Sequence, residues 1–324
     1  MKALVTGASG FIGSSLCPLL LERGLEVKAA ALPGEDVGRL RDQGMEVCFG
    51  DLSERESVRG LADGVDVVFH LAGRVVDWGP RRLFYSAIFE TTRNLLEECA
   101  GKVPRFVYVS SVCAIGMGIH LKGWKEDYGT TRTGIPYGDA KLDAERLLWE
   151  FQGRGEIEGT VIRPANVIGP GSVWVRDILD KFQKSPLNLI DGSDFSASLI
   201  CVDNLVEGMA LAGTMPEAGG KTFHFRDDWD VTWKQYLTDL GALIGKKPSF
   251  SVPFRLAWYS GWYFEKAFAP LKLRPPFTRH TIGIMGRNLD IDNTRAKDEL
   301  GWSTRVSYPE AMDKIGSWVR ETLA

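Results

Sequence analysis

The sequence has no cysteine pair at CxxC spacing, no run of like charge and no apolar stretch long enough to cross a bilayer. Each absence removes a class of function. Cys17, Cys48, Cys99, Cys113 and Cys201 are odd in number and scattered, without a histidine nearby at metal-ligand spacing. No metal site is expected, and the five read as reduced core thiols. Acid and base nearly balance at a formal net charge of −3, so there is no electrostatic footprint for nucleic acid or for an anionic membrane. The chain opens "MKALVTG", strand-like from its second residue. That pattern leaves no room for a basic and then apolar leader, and a cytoplasmic location is expected.

What is present is the material of a globular enzyme: 324 residues, 44% hydrophobic and 25% charged, enough for one large core or two smaller ones. Apolar strand-like runs ("KALVTG", "EVKAAAL", "MEVCFGDL", "VDVVFHLAG", "RFVYVSS") alternate with helical stretches such as "SSLCPLLLERG" and "LFYSAIFETTRNLLEECA". Strands apolar throughout fit a parallel sheet covered on both faces, which predicts an α/β fold with a doubly wound Rossmann sheet. The pattern continues through "GTVIRPANVIGPG", after which the composition changes. Residues 1–165 are read as the sheet domain, with a return segment near 199–225, and 166–324 as a smaller α+β domain that covers the substrate.

"VTGASGFIG" sets Gly7, Gly10 and Gly13 between the first strand and the first helix. Gly7 permits a tight turn, Gly10 lets a diphosphate approach the backbone, and Gly13 lets helix and strand pack closely. Ser9, Phe11 and Ile12 complete the loop, and the helix N-terminus offers free N–H groups to an anion. A bound nicotinamide dinucleotide is the expected cofactor. The tip of the second strand carries Ala31 and Leu32 where an acidic residue would meet the ribose of NAD, and Arg39 and Arg41 follow. Nothing there repels a 2′-phosphate, so NADP is favoured over NAD. Asp51 and Leu52 in "GDL" suit an adenine contact, although Asp51 is equally suited to cap the helix of "SERESVRGL". Leu71, Ala72 and Gly73 in "HLAG" are small enough for a flat cofactor to pass, while His70 reads as a packed or capping histidine.

"IPYGDAKLDAE" holds Tyr137 and Lys141 one helical turn apart, on one face. An ammonium beside a phenol favours the phenolate and is expected to lower its pKa from about 10. Such a group can exchange a proton with an alcohol or carbonyl while hydride moves. "FVYVSSVCAIG" ends a strand in Ser110 and Ser111, at the sheet edge where doubly wound proteins place ligands. Ser111 suits a hydrogen bond to the substrate oxygen; Ser110 suits a structural role at the strand end.

In order and interval, "TGASGFIG", "GDL", "HLAG", "FVYVSS", "YGDAK" and "RPANVIGPG" resemble the extended short-chain dehydrogenase/reductase superfamily, which includes NAD-dependent epimerases and dehydratases. The resemblance covers roughly the first 210 residues, and "DNTRAKDELGWSTRVSYPEAM" resembles the end of the same proteins. It implies that Ser111, Tyr137 and Lys141 form a catalytic triad with Tyr137 as acid/base. It further implies that Gly7, Gly10 and Gly13 bind the diphosphate, that Asp51 and Leu52 meet adenine, and that Pro164, Asn166 and Val167 flank the nicotinamide. A homodimer is also implied, through a four-helix bundle to which the helix of residues 83–100 and the Tyr137 helix could contribute. One position departs: Ile88 stands where such proteins usually carry asparagine.

"DWGP" at 77–80 and the aromatic C-terminal half look most like the 3β-hydroxysteroid dehydrogenase branch. Sugar-nucleotide enzymes need a cation for the substrate's diphosphate, and Ser196, Ala197 and Ser198 stand where that arginine is commonly found. Trp258, Tyr259, Trp262, Tyr263, Phe264 and Phe268 are expected to wall a pocket for a flat apolar alcohol, to touch a membrane surface peripherally, or to be plain core or dimer contact. Arg255, Glu265 and Lys266 interrupt that segment too often for a membrane span. The expected activity is thus interconversion of a secondary alcohol and a ketone on a steroid- or isoprenoid-like substrate. The alternatives are a nucleotide-sugar epimerase, dehydratase or reductase, and a non-catalytic NAD(P) sensor.

Overall fold

Six apolar runs marked as strands by the sequence lie parallel in the computed structural model of the protein, which describes residues 1–323. They are β1 (Lys2–Thr6), β2 (Glu26–Ala31), β3 (Glu46–Phe49), β4 (Val67–His70), β5 (Arg105–Val109) and β6 (Glu158–Pro164), joined by β7 (Lys221–Phe225). The sheet order is β7-β6-β5-β4-β1-β2-β3. Thr6 at the end of β1 pairs with Ala30 on one side and His70 on the other. The chain winds outward in both directions from this point, and the crevice beyond the carboxyl ends of β1 and β4 is where such a sheet binds ligands.

Helices on both faces explain why the strands carry no polar alternation. Leu4, Val5, Phe69, Phe106 and Val107 are wholly buried. The helices that position the site are α1 (Gly13–Glu22), α2 (Thr91–Cys99), α3 (Pro136–Gly153), α4 (Val173–Lys184), α5 (Val202–Thr214), α6 (Phe254–Phe268) and α7 (Arg279–Met285). Immediately before α2 the helix widens into a π-helical turn, Tyr85–Glu90, a form that recurs at functional sites. Four of the cysteines are buried free thiols; Cys48, expected in the core, is only half-buried at the sheet's edge strand.

After β6 the chain leaves the sheet, builds α4, and returns through α5 to β7. Three short parallel pairs lie outside the main sheet: Asn166–Ile168 with Leu199–Cys201, Leu189–Ile190 with Ser251–Val252, and Leu121–Trp124 with Leu289–Ile291. The last pair ties a stretch of the first 165 residues to the C-terminal half. Among the described residues no helix is long and apolar enough to cross a membrane.

Candidate active site

The glycine loop is built by close approach. Gly7 adopts φ +67°, and a Cβ there would lie 3.0 Å from the Ala72 nitrogen, so a side chain would meet both backbone strain and the end of β4. A Cβ on Gly13 would fall 2.2 Å from the Gly7 carbonyl oxygen, which is why α1 can begin directly against the loop. No side chain caps the start of α1; Ser14 and Ser15 N–H are bonded to the Gly10 and Ile12 carbonyls (2.8 and 3.1 Å), which leaves the Gly13 N–H available to an anion. This cradle fits a dinucleotide diphosphate: Gly7, Gly10 and Gly13 line the cavity without side chains where the loop turns into α1.

At the tip of β2 the structure adds a residue that pattern reading missed. Glu35 lines the cavity, where its carboxylate accepts hydrogen bonds from Ser9 Oγ (2.6 Å) and from the Leu32 N–H (2.9 Å). The two cations expected to welcome a 2′-phosphate, Arg39 and Arg41, do not line it, and Arg41 packs over the Phe49 ring. The missed signal is the turn "LPGE", which carries an acid back to the strand tip. Asp51 lines the same end. Its Oδ1 accepts from Ser53 N (2.9 Å) and Ser53 Oγ (2.7 Å), closing a turn ahead of the short helix Arg55–Val58, whose N-cap is Glu54 rather than Asp51.

Ser111, Tyr137 and Lys141 all face this cavity and are buried. β5 delivers Ser111, whose Oγ caps the 3₁₀ turn Val112–Ala114 by accepting from Cys113 N (3.2 Å). That turn supports α3: a Cβ on Gly138 would lie 2.5 Å from the Cys113 carbonyl oxygen, so glycine next to Tyr137 lets the helix seat. The expected tuning of the phenol is corrected here. Burial, with a smaller contribution from Cys113, raises the Tyr137 pKa above its ordinary value; a hydrogen bond with Ser111 opposes the rise, and Lys141 is not among the causes. The Lys141 ammonium instead donates to the Val109 carbonyl (2.7 Å) and stands 4.9 Å from the centroid of the Tyr108 ring. Burial lowers its pKa to about 8, against the pull of Glu145 one turn along α3.

Glu145 is another residue the reading passed over. It pairs with Arg163 of β6 (2.7 Å) and accepts from Ser110, so Ser110 serves structure, though through a side chain and not the backbone. The available signal was the Lys141/Glu145 spacing on one helical face. His70 takes the packed role: Thr6 Oγ1 lies 2.8 Å from Nδ1 and Thr92 Oγ1 3.0 Å from Nε2, and Thr92 in turn donates to the Ile88 carbonyl (2.6 Å). Burial, reinforced by Lys141, lowers the His70 pKa to about 3. Ile88 itself is wholly buried and lies against Gly73, so no side-chain amide is present at this turn and the Lys141 ammonium bonds the β5 carbonyl directly.

The remaining candidates divide. Leu52, Leu71, Ala72, Gly73, Pro164 and Val167 line the cavity, as do Ser9, Gly10, Phe11 and Ile12. Asn166 lines it too, but its amide donates to the Ala197 carbonyl (2.7 Å) and holds two strands together. Together these residues share one cavity of about 1190 Å³, beyond the roughly 300–1,000 Å³ of a site for a single small ligand. Its far end is walled by Val75, Ile178, Leu187, Val252, Phe277 and Ile282. The six aromatic residues expected there do not line it; Tyr259, Trp262 and Tyr263 are exposed, and from α6 only Leu256, Ala257 and Ser260 reach the cavity. Sequence spacing could not show which face of α6 turns inward.

The C-terminal half contributes polar groups of its own. His280 on α7 lines the cavity edge-on to Tyr137. Asp77, from "DWGP", accepts from Arg274 (2.8 Å) and from the Thr278 and Thr281 hydroxyls (3.2 and 3.1 Å), while Trp78 Nε1 donates to the Leu273 carbonyl (3.1 Å). The loop after β4 is thereby strapped to the segment before α7.

A buried phenol beside a serine hydroxyl can hand a proton to, or take one from, an oxygen seated between them. The lysine can hydrogen-bond ribose hydroxyls from the same face. A nicotinamide bound in the cavity would supply the site of hydride transfer.

Comparison with known proteins places this geometry in context. A sequence model of the NAD dependent epimerase/dehydratase family matches residues 3–226. The chain is 27% identical over 322 residues to the 4-hydroxy-2-methyl-3-oxo-4-farnesyl-3,4-dihydroquinoline-1-oxide ketoreductase of Stigmatella aurantiaca, covering 97% of this chain and 96% of that protein. It is 29% identical to sterol demethylase protein B of Methylococcus capsulatus, covering 99% of each. A UDP-glucose 4-epimerase from Thermotoga maritima, solved with UDP-glucose, shares the fold at TM-score 0.80 and 23% identity, covering 100% of both chains.

Proposed function

From the chain's membership of the NAD-dependent epimerase/dehydratase family, and hence of the extended short-chain dehydrogenases/reductases, we propose that this enzyme interconverts a secondary alcohol and a ketone on a hydrophobic, steroid- or isoprenoid-like substrate. The observation that carries the reading is the aliphatic and aromatic wall beyond Tyr137. Tyr137 serves as acid/base, Ser111 orients the reacting oxygen, and Lys141 holds the ribose. Relatives named for a farnesyl quinoline ketoreductase and a sterol demethylase protein support the substrate class.

Glu35 supports NAD over NADP, reversing the expectation from Ala31 and Leu32, because a carboxylate at the strand tip accepts from ribose hydroxyls and repels a 2′-phosphate. A nucleotide-sugar reading draws no support from Ser196, Ala197 and Ser198, which bring no cation and do not line the cavity; cations that do line it, among them Arg176, Lys181 and Arg274, keep that reading in the test. The test is nicotinamide absorbance with sterols and isoprenoid ketones in parallel with UDP- and dTDP-sugars. Turnover of the sugar nucleotides alone overturns the proposal. Retention of the protein's biological role by Tyr137→Phe would instead favour a non-catalytic sensor.

Two further proposals concern assembly. The face formed by α2 and α3 is assigned to a homodimer, to be checked by solution mass. The exposed Tyr259, Trp262 and Tyr263 are assigned to peripheral membrane contact, to be checked by vesicle co-sedimentation.

A further inference from the structure

The cavity wall is largely apolar at its substrate end, with Asn188, Ser260 and Thr281 among the aliphatic residues, and it also carries charges: Asp77, Arg176, Asp177, Lys181 and Arg274 line it together, and Arg74 lines it next to Val75. The acids facing Lys181 are already engaged. Asp77 is held by Arg274, Thr278 and Thr281; Asp177 lies 3.6 Å from Arg274; Asp180 pairs with Lys184 at 2.7 Å. Among the described residues no carboxylate comes within ion-pair distance of the Lys181 ammonium, and no hydrogen bond engages it. The cation is partly withdrawn from water all the same, and burial lowers its pKa.

Removing a charge from water without a partner is costly, and proteins pair such groups. Elsewhere in this chain they do: Arg163, more deeply buried than Lys181, meets Glu145. Beside Lys181 stands a second unmatched polar group. His280 Nδ1 is buried with no partner, and its ring packs against Tyr137. His280 adjoins the proposed acid/base on one side and lies in the field of Lys181 and Asp77.

We propose that Lys181, assisted by His280, is a carboxylate-binding site, so that the hydrophobic alcohol or ketone processed at Tyr137 is an acid. The inference rests on the oxidoreductase reading for its substrate but not for its anion site. His280 packs on the phenol and lies in the field of the ammonium, which puts the acid group on the same side of the cavity as the reacting carbon. Lys181 is then a specificity residue: it reads the anion, while the aliphatic wall reads the chain.

The test has a binding arm and a turnover arm on the whole protein with nicotinamide present. Binding is measured by calorimetry with dodecanoate and methyl dodecanoate, and turnover with 3-oxododecanoate and its methyl ester. The unmodified protein should bind the acid about tenfold or more tightly than the ester, the scale of one charge-assisted hydrogen bond. Lys181→Met should abolish the preference of acid over ester, and Lys181→Arg should retain it. In turnover the loss should appear in KM for the acid and not in kcat. Equal affinity for acid and ester, a preference that survives Lys181→Met, or tighter binding of UDP than of dodecanoate at this lysine overturns the site. Absence of turnover with both ketones and with the sterols and isoprenoid ketones named above, with the binding preference intact, overturns the reaction assigned above and leaves the anion site standing.

Discussion

The Tyr137 ring meets the His280 ring edge-on, with centroids 5.5 Å apart and planes at 64°. One comes from the helix after β5 and the other from the C-terminal half, so the C-terminal half packs directly against the phenol. Burial lowers the His280 pKa to about 4, with Lys181 adding to the effect and Asp77 opposing it. The imidazole is therefore neutral at pH 7 and gives Tyr137 shape and shielding without a positive charge.

Tyr137→Phe removes the proton route and leaves the ring contact with His280. Turnover should fall by about 10²–10⁴-fold, the usual contribution of a positioned acid/base, with nucleotide affinity unchanged. Steady-state rates with nucleotide titration check both parts. A variant that keeps its rate would assign the proton to another group.

Glu35→Ala tests the cofactor assignment. The carboxylate that now accepts from Ser9 and Leu32 N–H would be gone, and with it the repulsion of a 2′-phosphate. Preference for NAD over NADP, read as a ratio of kcat/KM, should drop about tenfold or more, since facing like charges cost several kcal/mol. An unmodified protein that already prefers NADP would contradict the role given to Glu35.

The contrast between Glu35 and the glycine loop shows what the chain displays in its order of residues. Gly13 packs against Gly7 and Ala8, a few residues from where it stands, so its spacing is enough to foresee the close approach, whereas the contact of Gly7 with Ala72 is not local. Spacing is likewise enough for Tyr137 and Lys141, which the period of one helix sets on one face. Glu35 reaches the site through a turn, His280 through a helix more than a hundred residues beyond Tyr137, and Asp77 through bonds to Arg274 and Thr278. No local period encodes such meetings. The aromatic run in α6 misled for the same reason: composition marked an apolar helix, but the outward turn of Tyr259, Trp262 and Tyr263 depends on where α7 and the strap lie.

Asp77→Ala should loosen that strap. The change leaves Arg274 only its longer pair with Asp177, takes the carboxylate from the Thr278 and Thr281 hydroxyls, and leaves Trp78–Leu273 as the remaining hydrogen bond between the loop after β4 and the segment before α7. A stability loss of about 1–3 kcal/mol is expected from the lost hydrogen bonds. Faster proteolysis at residues 270–278 should accompany it, together with a higher KM for substrate. Denaturant melts and limited proteolysis would show it, and an unchanged cleavage rate would mean that the segment is held by its apolar contacts and the Trp78 bond alone.

Lys141 separates stability from function. Its ammonium is buried, with one hydrogen bond to the Val109 carbonyl, and its pKa falls from 10.5 to about 8. Between pH 8 and 10.5 the unfolded chain holds a proton that the folded chain has released. Stability contributed through this group therefore rises with pH across that window, and below pH 8 the folded state bears the full cost of the buried charge. At about 1.4 kcal/mol per pKa unit, that cost is on the order of 3 kcal/mol. Lys141→Met keeps the aliphatic stem and removes the charge, so at pH 7 the variant should unfold at higher denaturant than the parent while losing turnover. The difference between the two should shrink as pH rises toward 10.5, because exposed lysines such as Lys102 contribute equally to both proteins and cancel. Paired denaturant melts at pH 7, 9 and 10.5 supply the measurement. A difference that stays constant across the three would mean that the buried amine keeps its charge on folding, with its pKa unshifted.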